Sequence, residues 1–320
     1  MPGRRLHILG TLNRVTSIVS ACAGVALLVI VGCSPSLATP TAAPAAPPTG
    51  SALQKPTDPP TTTSKPAASA PASGEIVVFA ASSLTDAFQD MATVFEQANP
   101  NAKLTFSFGS SSQLSTQLGQ GASADAFASA DQTQMDNARK AGAVGGLDRV
   151  FARNRLVLIT PRDNPARISA IKDLANPGVK FVTAATGVPI GQYTLQMLDK
   201  ASTDPTYGAD FKSKVVANTV SQEDNVRQVV SKVQLGEADA AVVYSTDATP
   251  QVRDQLQIIQ VSDPLQTLAT YPIAVAEGNN AAGGEAFVGY VLGLQGQATL
   301  AKWGFLPPTQ GAAAARRLAA

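Results

Sequence analysis

Histidine is almost absent from this chain, and cysteine nearly so. His7 is the only histidine, and the two cysteines, Cys22 and Cys33, lie in the same early segment. Past Cys33, therefore, no disulfide framework and no Cys/His zinc site can be built. A histidine-activated nucleophile is excluded there as well. One-sided charge is also missing. Against 24 Lys and Arg stand 23 Asp and Glu, a net +1, which argues against a nucleic-acid binder. Aromatic residues make up only 5% of the chain, so a sugar cradle of stacked rings has little to draw on. What the chain does have is length: 320 residues are ample for a sizeable core and one or two domains.

The N-terminus carries Arg4, Arg5 and Arg14, then an apolar run from Ile18 to Val31 broken only by small residues. A basic start, an apolar middle and a small-residue exit describe a secretory signal, with an uncleaved membrane anchor as the alternative. The exit, Ile30-Val31-Gly32-Cys33, resembles a bacterial lipoprotein signal. That resemblance implies a signal peptide over 1–32, cleavage before Cys33 and lipid attachment to Cys33. The following stretch, 33–74, is proline, alanine, threonine and serine with almost no large apolar side chain. It buries too little surface to offset the entropy of ordering. We read it as a disordered or partly polyproline tether; a glycosylated stalk is mechanically similar.

Two serine-rich turns organise the region that follows. Ala80-Ala81-Ser82-Ser83 comes after Ile76-Val77-Val78-Phe79, a buried strand, and before a helix face of Leu84, Phe88, Met91 and Phe95. Gly109-Ser110-Ser111-Ser112 comes after a strand marked by Leu104, Phe106 and Phe108, and opens a helix with Leu114 and Leu118. Each turn leaves backbone N–H groups without intrahelical partners and adds serine hydroxyls at the positive end of a helix dipole. That is a site for an anion, with no lysine or arginine required.

Further strands are read at Ala126-Phe127-Ala128, at Leu156–Ile159 before Pro161, and at Phe181-Val182-Thr183. Others are Ala240–Tyr244, Ile258-Ile259 and Ile273–Val275. A helix follows Gly187–Gly191 with Pro189 in its first turn, where proline is tolerated. Val226, Val229, Val230 and Val233 mark another helix face, with Glu223-Asp224 as its acidic first turn. Phe287, Tyr290, Val291 and Leu294 mark the last. Alternating strands and helices imply an α/β fold with mostly parallel sheets, whose ligands sit at the C-terminal strand ends.

Seven stretches, in order, resemble the molybdate-binding protein of bacterial molybdate ABC transporters. They are Val78–Thr85, Phe108–Ser112, Gly121–Asp131, Gly187–Tyr193, Glu223–Arg227, Val243–Ala248 and Tyr271–Val275. The resemblance spans about residues 75–308. It implies a two-lobed periplasmic-binding-protein (type II) clamshell, each lobe a mostly parallel sheet flanked by helices. Lobe 1 would comprise 75–153 plus 271–308, lobe 2 would comprise 154–270, and 309–320 would be a tail. The chain would cross between lobes near Asn154 and Thr270. Ser83 and Ser111 would hold a tetrahedral oxyanion through hydroxyl and N–H, Ile190 and Val226 through backbone N–H, and Tyr244 through its hydroxyl. Position 190 is usually alanine in that family, so Ile190 fits if its side chain turns away from the ligand. The resemblance further implies a monomeric, non-enzymatic, exported binding protein, held to the membrane through Cys33. It would deliver molybdate, and tungstate as well, to a permease with its ATPase, and would need no cofactor.

The chemistry of the residues points the same way. Molybdate, tungstate and sulfate carry no proton near neutral pH, so their site needs donors and no acceptors. Hydrogen phosphate would call for a carboxylate, and none lies between Phe79 and Thr85. Other roles stay open at this level. Ser83 and Ser111 could be helix N-caps. Tyr244 could be ordinary core, and the Val226 side chain is core in either case. Asp125 and Asp131 suit backbone bonding near a strand end, and Arg227 a surface or inter-helix salt bridge. Another oxyanion such as sulfate, or a small organic solute, are alternative cargoes. A secreted serine hydrolase is a third class, but neither serine turn has a Gly-x-Ser-x-Gly elbow.

Overall fold

A computed structural model describes residues 71–309. The expected signal, Cys33 and most of the expected tether lie outside the described residues, as does 310–320. The chain runs through β1 (Gly74–Ala81), α1 (Thr85–Ala98), β2 (Ala102–Gly109), α2 (Ser111–Gly119), β3 (Ala126–Ala128), α3 (Gln132–Lys140) and β4 (Arg149–Asn154). It continues through β5 (Leu156–Pro161), β6 (Phe181–Ala184), α4 (Pro189–Thr203), α5 (Phe211–Ala217), β7 (Thr219–Glu223), α6 (Val226–Gln234), β8 (Ala240–Tyr244), α7 (Pro250–Arg253) and β9 (Leu256–Gln260). It closes with β10 (Ala269–Val275), α8 (Ala281–Leu292) and α9 (Leu294–Lys302).

Two five-stranded sheets result, ordered β2-β1-β3-β10-β4 and β7-β6-β8-β5-β9. β1 shows why its sequence is apolar without alternation. Ile76, Val78 and Ala80 pack into one core cluster, Phe79 into another on the opposite face. A strand covered on both sides is apolar on both. Phe88 of α1 lies at the centre of the first cluster, with ring centroids 6.0 Å from Phe106, 6.0 Å from Phe151 and 5.5 Å from Phe287.

The α/β architecture agrees with the sequence reading, but the sheets are mixed rather than mostly parallel. β1 pairs parallel with β2 and β3, and β6 with β7 and β8. The other pairings, β10 with β3 and β4 and β5 with β8 and β9, are antiparallel. The antiparallel strands are those on either side of the two passages between sheets, where the chain arrives without a crossover helix to reverse it. The first passage is Arg155 alone, between β4 and β5, and the second is 261–268, between β9 and β10.

Other expectations shift. The folded region starts before residue 75: Ala72 is buried and donates to Asn99 Oδ1 at 3.0 Å, and Gly74 already pairs with Ala102. Leu294 is not on the last apolar helix face. It opens α9 after Gly293 and is 85% exposed. Glu223 and Asp224 precede α6 rather than form its first turn, because Asn225 is the cap and accepts from the N–H groups of Arg227 and Gln228. β4 and β7 went unread because their sequences, RVFARN and TVSQE, are polar and only partly buried.

Phe88→Ala is expected to cost about 3–5 kcal/mol of unfolding free energy, measured by denaturant titration. A loss near that of a surface substitution would mean that this aromatic cluster does not hold the first lobe together.

Candidate functional site

At the C-terminal ends of the strands, four helical starts from the two sheets face one another. From the first come the turn Ser82–Leu84, which leads into α1, and the start of α2 at Ser111. From the second come the starts of α4 and α6, where Ile190 is the second helical residue and Val226 the first. Ser83, Ser111, Ile190, Val226 and Tyr244 all line one cavity between them, of about 210 Å³ with its mouth included. Ala81, Gly109, Ala130 and Val188 are among the other lining residues, and none of the twelve is ionised near neutral pH.

Local structure explains how each group is aimed. The cap of α2 is Ser110, whose hydroxyl accepts from Gln113 N–H at 3.3 Å. Ser111 is therefore spared that task. Its Oγ accepts from Ala130 N–H at 2.9 Å, which leaves its own proton to give away. Ser83 does not cap either; its Oγ shares a hydrogen bond of 3.0 Å with the Tyr271 hydroxyl. The Ile190 and Val226 amides belong to first helical turns, whose N–H groups have no intrahelical carbonyl to bond. Ile190 is only 1% exposed and counts among the core residues as well as the cavity lining. Beside it, Gly191 lets α4 approach β6: a Cβ there would lie 2.5 Å from the Ala185 carbonyl oxygen and 2.6 Å from that of Ala184.

Tyr244 ends β8 fully buried, and its hydroxyl has no hydrogen-bond partner among the described residues. A buried donor without a partner is costly unless something accepts from it. Burial, and next the neighbouring Tyr271 and Tyr193, hold its phenol well above the ordinary range, so it stays protonated. The arrangement presents hydroxyl and N–H donors at the positive ends of helices and no carboxylate. It can solvate an anion that carries no proton, and it offers no carboxylate to take up the proton of one that does.

Sequence reasoning missed two residues around this cavity, Tyr271 and Gln134, whereas the inter-helix salt bridge expected of Arg227 is present, to Asp86 of α1. Tyr271 stood in a recognised stretch but was given no role. Arg227 reaches across to the first lobe, where its Nη2 donates to Asp86 Oδ2 at 2.6 Å and its Nε to the Ser82 carbonyl at 3.3 Å. Gln134 also crosses, with Nε2 donating to the Gly187 carbonyl at 3.3 Å. No motif marks Gln134; its role comes only from the closeness of the lobes. Asp125 and Asp131 do bond backbone: Asp125 accepts from Val77 and Asn280, Asp131 from Gln134.

A pair of α/β lobes joined by two passages, with a cavity between their helix starts, defines the class of periplasmic-type solute-binding proteins. The chain belongs to the bacterial extracellular solute-binding protein family, whose profile matches residues 76–306. The molybdate-binding protein ModA of Mycobacterium tuberculosis H37Rv is 36% identical over 246 residues, which cover 77% of this chain and 89% of the relative. Among solved structures, the periplasmic molybdate-binding protein of Azotobacter vinelandii matches with a TM-score of 0.62 at 20% identity, over 73% of this chain and all of that one. The sulfate-binding protein SubI of Mycobacterium tuberculosis matches with a TM-score of 0.64 at 18% identity, over 73% of this chain and 86% of that one.

Asp247, completely buried behind the cavity, generates a pH prediction. Arg227 Nε lies 3.2 Å from its Oδ1, but that N–H is aimed at the Ser82 carbonyl, so neither carboxylate oxygen has a hydrogen bond among the described residues. Burial pushes the Asp247 carboxyl from 3.8 up to about 6, against the pull of the Arg227 charge. A raised carboxyl stabilises the fold when protonated: the gain is complete below the unfolded value and is lost as pH rises through about 6. The amount is on the order of 3 kcal/mol. Relative to Asp247→Asn, the wild type should therefore lose unfolding free energy between about pH 4 and 7. Parallel curves would mean that Asp247 is ionised throughout.

Proposed function

We propose that this protein captures molybdate, and tungstate of nearly equal size, between its lobes and delivers it to an ABC permease with its ATPase. The observation that carries this reading is the cavity lined by hydroxyls and helix-start N–H groups, with no carboxylate and no lysine in its lining. In this reading the ligand accepts from the hydroxyls of Ser83, Ser111 and Tyr244 and from the backbone N–H groups of Ile190 and Val226. Ile190 contributes its amide while its side chain serves the core. Each hydrogen bond to an ionised acceptor is worth roughly 1.5–3 kcal/mol. Several together offset the desolvation of a dianion without a counter-charge. The relatives that are named for molybdate extend over nearly the whole folded region, which favours the same cargo here.

The rest of the proposal follows from that role. The protein is not an enzyme, and the anion is cargo rather than cofactor. Residues 1–32 direct export, lipid on Cys33 anchors the chain to the outer face of the cell membrane, and the tether lets the lobes work at a distance from it. The protein acts as a monomer and binds no nucleic acid. Sulfate is the second reading, favoured by the fold likeness to the sulfate-binding protein and by the fact that donors alone suit sulfate too.

Thermal unfolding of the full chain with molybdate, tungstate, sulfate, phosphate and nitrate at equal ionic strength separates these readings. A ligand at a thousand times its dissociation constant adds about 4 kcal/mol, a rise on the order of 10 °C for a domain of this size. Molybdate and tungstate should give that rise, and phosphate and nitrate none. A rise with sulfate alone would change the cargo, and no rise with any anion would end the oxyanion reading. Ser111→Ala should weaken molybdate binding by roughly 1–3 kcal/mol in calorimetric titration. Unchanged affinity would remove Ser111 from the ligand shell.

A further inference from the structure

The cavity explains what holds an anion but not what holds the lobes together around it. Among the described residues, ten ion pairs are formed, and only that of Arg227 with Asp86 joins one lobe to the other. Arg227 follows Val226, and the carbonyl it reaches belongs to Ser82, which precedes Ser83. Its two contacts across the gap therefore fasten the very turns that carry cavity donors on opposite lobes. On its own lobe it is steadied by Asp247, whose carboxylate oxygen lies 3.2 Å from Nε. We propose that Arg227 is the latch of the clamshell: anchored beside Asp247, it grips Asp86 and the Ser82 carbonyl when the lobes close and so sets how long a bound oxyanion stays. This rests on the oxyanion reading and adds to it the contact that governs release.

The chemistry suits a latch rather than a weld. Guanidinium presents several N–H groups in a fixed plane, so it can serve the Ser82 carbonyl and the Asp86 carboxylate at once while its charge lies beside Asp247. The side chains of Arg227 and Asp86 keep 29% and 24% of their exposure, so water can reach the pair and the contact can open. At another crossing point, Gln134 to Gly187 is neutral and longer, at 3.3 Å, and contributes less. The latch also keeps the Arg227 guanidinium engaged with carboxylates and a carbonyl. The anion is then held by dipoles rather than by a full positive charge.

The test compares wild type, Asp86→Asn, Arg227→Gln and Arg227→Lys with the exposed charge control Asp163→Asn, all as full chains. Molybdate dissociation is followed by stopped flow. Hydrogen exchange is measured without anion in peptides covering 82–86 and 226–230. Asp86→Asn and Arg227→Gln should raise the dissociation rate roughly three- to tenfold with little change in the association rate, as expected for a closing charge pair. Arg227→Lys should fall between them and wild type, and Asp163→Asn should match wild type. Asp86→Asn should also speed exchange in both peptides, although the substitution lies in only one lobe, a response that a purely local role would not give. Dissociation rates equal to wild type in Asp86→Asn and Arg227→Gln would overturn the latch. If wild type binds no oxyanion, the functional reading fails by itself and exchange decides the latch: faster exchange in both peptides supports it, and unchanged exchange overturns it.

Discussion

A doubly charged anion can leave water only if something replaces its hydration shell, and in this fold the replacement is made of backbone and hydroxyl dipoles. That requirement governs much of the architecture. Donors must arrive from several directions, so four helical starts are brought to one point. They must not be spent on their own helices, so Ser110 takes the capping duty and leaves Ser111 available. Among the described residues, no carboxylate lines the cavity, and acidic side chains on the elements around it have other partners. Asp131 caps α3, Asp125 bonds strand backbone, and Asp247 lies behind the cavity beside a guanidinium.

The same requirement explains which parts of the structure could be read from the sequence. Strands covered on both faces are apolar throughout, and β1, β5 and β8 were legible for that reason. The serine turns were legible because a strand end, a serine and a helix start have a local signature. The set of five cavity residues came from the family resemblance, since local features alone left Ser83 and Ser111 open to capping and Tyr244 to the core. Residues whose roles depend on the approach of the lobes left no such mark. Gln134 is one of two glutamines in α3, and although Arg227 reads as a salt-bridging residue, nothing local names Asp86 as its partner. Edge strands such as β7 are polar because they are half exposed, so periodicity could not find them. The pairing direction of β4, β5, β9 and β10 depends on where the chain passes between sheets, which composition does not encode.

Arg227 also resolves an apparent contradiction. A protein that binds a dianion places an arginine next in sequence to a cavity donor, yet leaves that cavity without formal charge. The guanidinium is occupied by Asp86, Asp247 and the Ser82 carbonyl. Its charge acts on closure instead of on the ligand, and the depth of the binding well is set by dipoles that are graded by distance and angle.

The two passages between the lobes run side by side. Asn154 pairs with Ala269 on one side of the gap, and Val157 with Gln260 on the other. Between them, Gln266 accepts from Leu156 N–H at 3.0 Å and donates to the Leu156 carbonyl at 2.8 Å, completing by side chain a ladder that the backbone interrupts. Asn154, fully buried, ties the shorter passage to Thr246 and Ser245. A ribbon fastened in this way resists shear and twist far more than bending. The molecule is thus left with one soft coordinate, a swing about the ribbon like a gate on a pair of adjoining pins. Every productive opening has to follow the same arc, whichever face of the cavity a ligand leaves by.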